Sequence, residues 1–174
     1  QDKINNNEKV IPPFPMLGLI DDPELQRKAT KIFINKHHPK SYVLPEIGLY
    51  PKHKKIRIGY FSADFREHPV AALTAELYEI HDRNHFEIHA FSYGPEAKDK
   101  MHLRIKAGVD HFHDVRTMSY KDVAMLARSL EIDIAVDLGG PTTNSRTGVF
   151  AMSAAPIQAS YIGYIGTMGV NYYD

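Results

Sequence analysis

Residues 56–69 read IRIGYFSADFREHP. Ile56 to Ala63 is rich in β-branched and aromatic residues, which predicts a strand. Pro69 suits the first turn of a helix, where its missing N–H leaves no bond unmade. Val70, Leu73, Leu77 and Ile80 then recur at the spacing of one apolar helical face. His68 therefore stands between a strand and a helix, at the N-cap. Histidine is not among the favoured caps, which are Ser, Thr, Asp and Asn. A poor cap at the carboxyl end of a strand points to a second reason for the residue. An imidazole placed there can accept a proton or hydrogen-bond a hydroxyl.

The same alternation continues outward. Phe86–Tyr93 alternates as a strand, and Lys98–Lys106 predicts a short helix ending at Gly108. Val109–Val115 is expected as a short strand. Ser119-Tyr120-Lys121-Asp122 matches a capping box, and Val123, Leu126, Ala127 and Leu130 form the next helical face. Ile132–Leu138 is a nearly continuous apolar strand, Arg146–Met152 a short helix, and Pro156–Tyr164 a last buried strand. Strands and helices recurring at about 30 residues predict an α/β fold, a Rossmann-like parallel sheet with helices on both faces. Toward the N-terminus, Asp22-Pro23 caps a helix over 23–36 that buries Leu25, Ala29, Ile32 and Phe33. Residues 39–53, with three prolines and one glycine, read as an extended surface connector. Residues 1–10 are polar and Asn-rich, expected as a disordered tail or linker. The division is thus 1–53, a tail, helix and connector, and 54–174, the lobe. The ends suggest a segment of something longer.

The composition narrows the class. Apolar residues make up 43% and charged residues 24% of the 174, an ordinary globular balance. Lys plus Arg equals Asp plus Glu at 21 each, which argues against a nucleic-acid partner. No cysteine is present, so disulfides and thiolate metal sites are excluded. Neither a membrane-length apolar run nor a signal-peptide core occurs, so no membrane partner and a cytoplasmic setting are expected.

In parallel sheets, ligands bind beyond the carboxyl ends of the strands. Those ends here include SADFREHP, DLGGPTTNSR and GYIGTMG. The glycines match neither G-x-G-x-x-G nor a P-loop. They serve either tight turns or a close backbone approach to a ligand. Asp137 ends its strand and either accepts hydrogen bonds from the following loop or touches a ligand; the sequence leaves both open. Arg146 either binds an anion or pairs with a carboxylate such as Asp137. His111 and His113 share a strand face and invite a metal, as in a metal hydrolase. No third and fourth ligand stands near them in sequence, so no metal site is expected.

Three stretches together carry a resemblance: PPFPMLGLIDDPELQRKA, KIRIGYFSADFREHPVAAL and EIDIAVDLGGPTTNSRTGVFAMSAAPIQASYIGYIGTMG. In this order they resemble the O-linked N-acetylglucosamine transferase / SPINDLY-like family, over about residues 12–174 and within the N-terminal half of its catalytic region. The specific elements are S-x-D-[FY]-x-x-H-P and the Ala-Pro-x-Gln stretch before G-Y-x-G-T. The resemblance implies the N-terminal lobe of a two-lobed GT-B glycosyltransferase that inverts the anomeric centre and needs no metal or other cofactor. It implies a nucleotide-sugar donor, UDP-N-acetylglucosamine or GDP-fucose, and a protein acceptor at Ser or Thr. A C-terminal lobe would grip the nucleotide, and tetratricopeptide repeats often precede the catalytic region. His68 falls on the cleft histidine. Asp64 and Pro69 belong to the same element, Asp137 and Thr142 to the D-L-x-G loop, and Ile162, Gly163, Gly166 and Thr167 to the loop that approaches the sugar. Pro141 stands where the family has an aromatic residue or histidine, Ile165 where it has proline, and the arginine often preceding Ala-Pro is missing. Those departures leave an alternative, a non-catalytic peptide-binding or assembly module built on the same lobe.

Overall fold

The strand expected in the opening stretch forms as β1 (Ile56–Ser62) and lies at the middle of the sheet. The computed structural model describes residues 2–6 and 12–174. β2 (Phe86–Ser92), β3 (His111–Asp114), β4 (Ile134–Asp137) and β5 (Ile157–Ser160) complete a five-stranded sheet in the order β3-β2-β1-β4-β5. Every pairing is parallel, with Ile58 opposite Ile88 on one side and Ile134 on the other. The strand order reverses between β1 and β4. Chain crossovers diverge there and open a crevice beyond the carboxyl ends.

The helices are α1 (Asp2–Asn5), α2 (Pro13–Met16), α3 (Pro23–His37), α4 (Pro69–Ile80), α5 (Lys100–Gly108), α6 (Tyr120–Ser129) and α7 (Thr147–Phe150). On one sheet face Ile58, Tyr60, Ile88 and Ala90 pack against Ala71, Ala75 and Tyr78 of α4 and Ile105 of α5. On the other, Phe61, Phe91 and Ala135 pack against Val123, Ala124 and Ala127 of α6 and Val149 and Phe150 of α7. The Phe61 and Phe91 rings stack at 4.3 Å between centroids.

Two expectations about helices change. The apolar spacing of α4 predicts burial of Val70, Leu73, Leu77 and Ile80. The buried residues are Ala71, Thr74, Ala75 and Tyr78, while Leu73 and Ile80 remain 67% and 69% exposed. Small residues face the sheet because the helix backbone approaches it closely. The tail expected over residues 1–10 contains α1, whose Ile4 is buried with Met16, Leu25 and Ala29; residues 1 and 7–10 lie outside the described residues. The strand expected over 156–164 stops at Ser160, where the chain turns and Ile162 adopts φ 57°.

The segment before residue 54 is packed onto the lobe. Asp22 caps α3 by accepting from the Leu25 N–H, and Ile34 enters the α6 side of the core. Thr30 Oγ1 and Tyr164 Oη lie 2.7 Å apart, and Tyr172 Oη donates to the His38 carbonyl at 2.9 Å. Farther along, Arg128 donates to the Pro45 carbonyl.

Candidate active site

The turn after β1 is held from within. Ser62 Oγ accepts from the Asp64 N–H at 2.9 Å, and the Arg66 N–H donates to the Asp64 carbonyl at 2.8 Å. This turn gathers three polar side chains. Arg66 Nη2 donates to Asp64 Oδ1 at 3.1 Å, while Asp64 Oδ2 lies 3.7 Å from His68 Nδ1. Arg66 Nε is buried without a hydrogen-bond partner among the described residues.

His68 does cap α4. Its backbone is extended, with φ −157° and ψ 148°, and its Nδ1 accepts from the Val70 N–H at 3.3 Å. A ring nitrogen thus replaces the usual oxygen. Because Nδ1 is the acceptor, the neutral ring carries its proton on Nε2. The remaining polar atom of His68 is therefore a donor.

Opposite this turn lies the loop after β4. Asp137 is fully buried; its Oδ1 accepts from the N–H groups of Gly139 at 2.9 Å and Gly140 at 3.0 Å. Its Oδ2 accepts from Tyr173 Oη at 2.6 Å. Burial pushes the Asp137 carboxyl up, opposed by the Tyr173 hydroxyl and the two N–H groups. Of the two readings left open for Asp137, the geometry realises the loop-building one. Gly140 takes φ 57°, where a side chain is strained. Thr142 Oγ1 donates to the Gly139 carbonyl at 2.9 Å, closing the loop.

The loop after β5 leans on the loop after β4. A Cβ at Gly163 would lie 1.7 Å from the Leu138 carbonyl oxygen, so the two backbones touch and only glycine fits. At Gly166 a Cβ would meet the Tyr164 ring at 2.7 Å. Tyr164 itself is anchored by Thr30.

Between these loops lies a cavity of about 620 Å³. Asp64, Arg66, His68, Thr142, Asn144 and Gly163 are among the residues that line it. Of the residues expected at a site, Asp64, His68, Thr142 and Gly163 come together here. Asp137, Ile162 and Gly166 support the loops from behind, while Pro69 and Thr167 are exposed outside the lining. Pro141 is buried and contributes to the wall.

Two contributions to the cavity lie outside the residues expected from the sequence. Arg66 sits inside the quoted stretch, and its spacing from Asp64 was the available signal. The apolar wall of Pro12, Phe14, Pro15 and Phe33 comes from the N-terminal segment. Its prolines at 12, 13 and 15, which interrupt an apolar run, are the signal the sequence offers for it. Arg146, expected on an anion or a carboxylate, pairs with no carboxylate among the described residues. It donates to the carbonyls of Val115, Arg116 and Met118 and lies over the Tyr93 ring, locking the chain between β3 and α6.

Among the described residues, no helix is long and apolar enough to cross a membrane. The model of glycosyl transferase family 41 matches residues 28–174. A probable UDP-N-acetylglucosamine–peptide N-acetylglucosaminyltransferase, SEC, from Arabidopsis thaliana is 36% identical over 121 residues, covering 70% of this chain and 12% of its own. A UDP-N-acetylglucosamine–peptide N-acetylglucosaminyltransferase from Caenorhabditis elegans is 32% identical over 124 residues, with 70% and 11% covered. The solved structure of a mutant O-GlcNAc transferase from Thermobaculum terrenum superposes with a TM-score of 0.79 at 30% identity, over 88% of this chain and 29% of that one. This chain thus spans a minor part of the length of the relatives it matches. The sheet, with its crevice between β1 and β4, is a Rossmann-like lobe of the GT-B kind. The chain belongs to glycosyl transferase family 41.

Proposed function

We propose that this chain is the acceptor-side lobe of an inverting protein O-glycosyltransferase. The sugar, N-acetylglucosamine, passes from UDP-N-acetylglucosamine to a Ser or Thr hydroxyl of a protein. A second lobe completes the cleft and grips the nucleotide, and the setting is cytoplasmic. The carrying observation is the convergence of Asp64, Arg66 and His68 with Thr142, Asn144 and Gly163 around one cavity at the sheet's switch point. The names of the relatives support the donor and the peptide acceptor.

In the reaction the acceptor oxygen attacks the anomeric carbon, the bond to the diphosphate oxygen breaks, and the hydroxyl proton passes to water or to an oxygen of the departing diphosphate. Negative charge grows on the leaving diphosphate and needs nearby cations or helix N-termini. This lobe contributes position. With Nδ1 committed to the helix cap, His68 donates from Nε2 to an oxygen of sugar or acceptor. Asp64 steadies Arg66, and Gly163 lets the loop after β5 rest against the Leu138 carbonyl beside the cavity.

The test is peptide glycosylation by the full-length protein carrying His68→Ala. Transfer efficiency is expected to fall about 100-fold, as misplacement of a reacting group does. Stability should fall by only the ~1 kcal/mol of a lost cap. Unchanged turnover would reduce His68 to a helix cap and remove the basis of this reading.

A further inference from the structure

A second cluster of titratable groups lies away from the cavity, at the opposite end of β2. Glu87 and His89 alternate along β2, as His111 and His113 do along β3, and the register sets His89 opposite His111. All four side chains consequently share one sheet face. Glu87 Oε1 accepts from His111 Nε2 at 2.8 Å and lies 3.5 Å from His89 Nε2. These ligand atoms of Glu87, His89 and His111 fall within 4.8 Å of one another. His89 is 3% exposed, and its Nε2, aimed at this cluster, has no hydrogen-bond partner among the described residues.

We propose that Glu87, His89 and His111 form a binding site for a divalent transition-metal ion of the zinc class. Two imidazoles and one carboxylate are a donor set that suits zinc and leaves a fourth position open. Calcium and magnesium prefer oxygen ligands throughout. At zinc–ligand bonds of about 2.0–2.1 Å, tetrahedral ligands stand roughly 3.3 Å apart. The separations of 2.8 and 3.5 Å from Glu87 bracket that spacing. His111, half-exposed at the sheet edge, turns to complete it. Its proton moves from Nε2 to Nδ1, so that Nε2 offers a lone pair.

The surroundings orient the ligands. His89 Nδ1 lies 3.1 Å from His113 Nε2; donation from Nδ1 to His113 leaves the His89 Nε2 lone pair facing the ion. Arg57 Nε donates to Glu87 Oε2 at 3.4 Å, which leaves Oε1 for the site. The Arg57 charge is itself met by Glu131 at 2.9 Å.

Glu87 stands at the amino end of β2, and Ser92 at the cavity end. At about 3.3 Å per residue they are roughly 16 Å apart. The ion therefore does not reach the sugar. It staples β3, a four-residue edge strand, to β2.

The test uses the purified protein, stripped with a chelator and titrated with zinc chloride against a chromogenic competitor. One zinc per chain is expected, with Tm rising by about 5 °C at saturation. His111→Ala, at an exposed position, and Glu87→Gln are each expected to lose about tenfold or more in affinity and the Tm rise. His85→Ala, an exposed histidine outside the cluster, should leave both unchanged. No stoichiometric binding at about 100 μM zinc, or undiminished binding by His111→Ala, overturns the proposal.

Discussion

At Asp137 a fully buried carboxylate rests on three donors, the N–H groups of Gly139 and Gly140 and the Tyr173 hydroxyl. Burial is the largest influence and raises its folded pKa above the ordinary 3.8. A raised folded value favours folding below the unfolded pKa, and that contribution disappears as pH rises through the folded value. Asp137→Asn keeps an oxygen for the two N–H groups and turns its amide to the Tyr173 oxygen, which then accepts. The Asn protein should lie within about 1 kcal/mol of the parent at neutral pH. It should gain on the parent between about pH 4 and 7. Asp137→Ala, which strands all three donors, should cost about 3 kcal/mol. Urea unfolding at the two pH values measures both. From the sequence, Asp137 was a polar residue at a strand end, and nothing there distinguishes a loop-builder from a ligand contact. The same holds for His89. Its partners His111 and His113 follow about 22 to 24 residues later, and only the parallel register places them side by side.

Helix α4 shows what periodicity reads and what it misses. The sequence marks its existence and start well, because Pro69 and the apolar spacing agree. Its rotation is not legible, since Val70, Ala71, Leu73, Ala75, Leu77, Tyr78 and Ile80 are apolar on nearly every side. Ranking by side-chain size puts Leu73 and Ile80 inside. Packing against a sheet ranks by fit, and Ala71 and Ala75 let the backbone come close while Tyr78 fills the remainder and donates to Thr74 at 2.9 Å. Leu73→Gln and Ile80→Gln should therefore change stability by less than about 0.5 kcal/mol. Ala75→Leu should cost about 1–3 kcal/mol by overpacking. Chemical denaturation of the three proteins separates this orientation from the one the spacing suggests.

For the molecule as a whole, the parallel sheet is legible because strands and helices recur at a regular interval and parallel strands demand crossovers. The seating of α3 is not, since its partner Tyr164 lies 134 residues from Thr30. A chain starting at residue 54 would lose Ile34 from the core and both tyrosine hydroxyl bonds. It should be at least about 3 kcal/mol less stable than the whole chain. Near-ultraviolet circular dichroism and urea unfolding of the two proteins check this. The central place of β1 also has a cost in time. Arg57, in β1, bonds Glu87, 30 residues on, and Asp133, 76 residues on. At about 5–20 residues per second of synthesis, the second partner follows β1 by roughly 4–15 s. Through that interval the central strand keeps one edge open to stray pairing. The crevice between β1 and β4 cannot take shape before β4 has been synthesised.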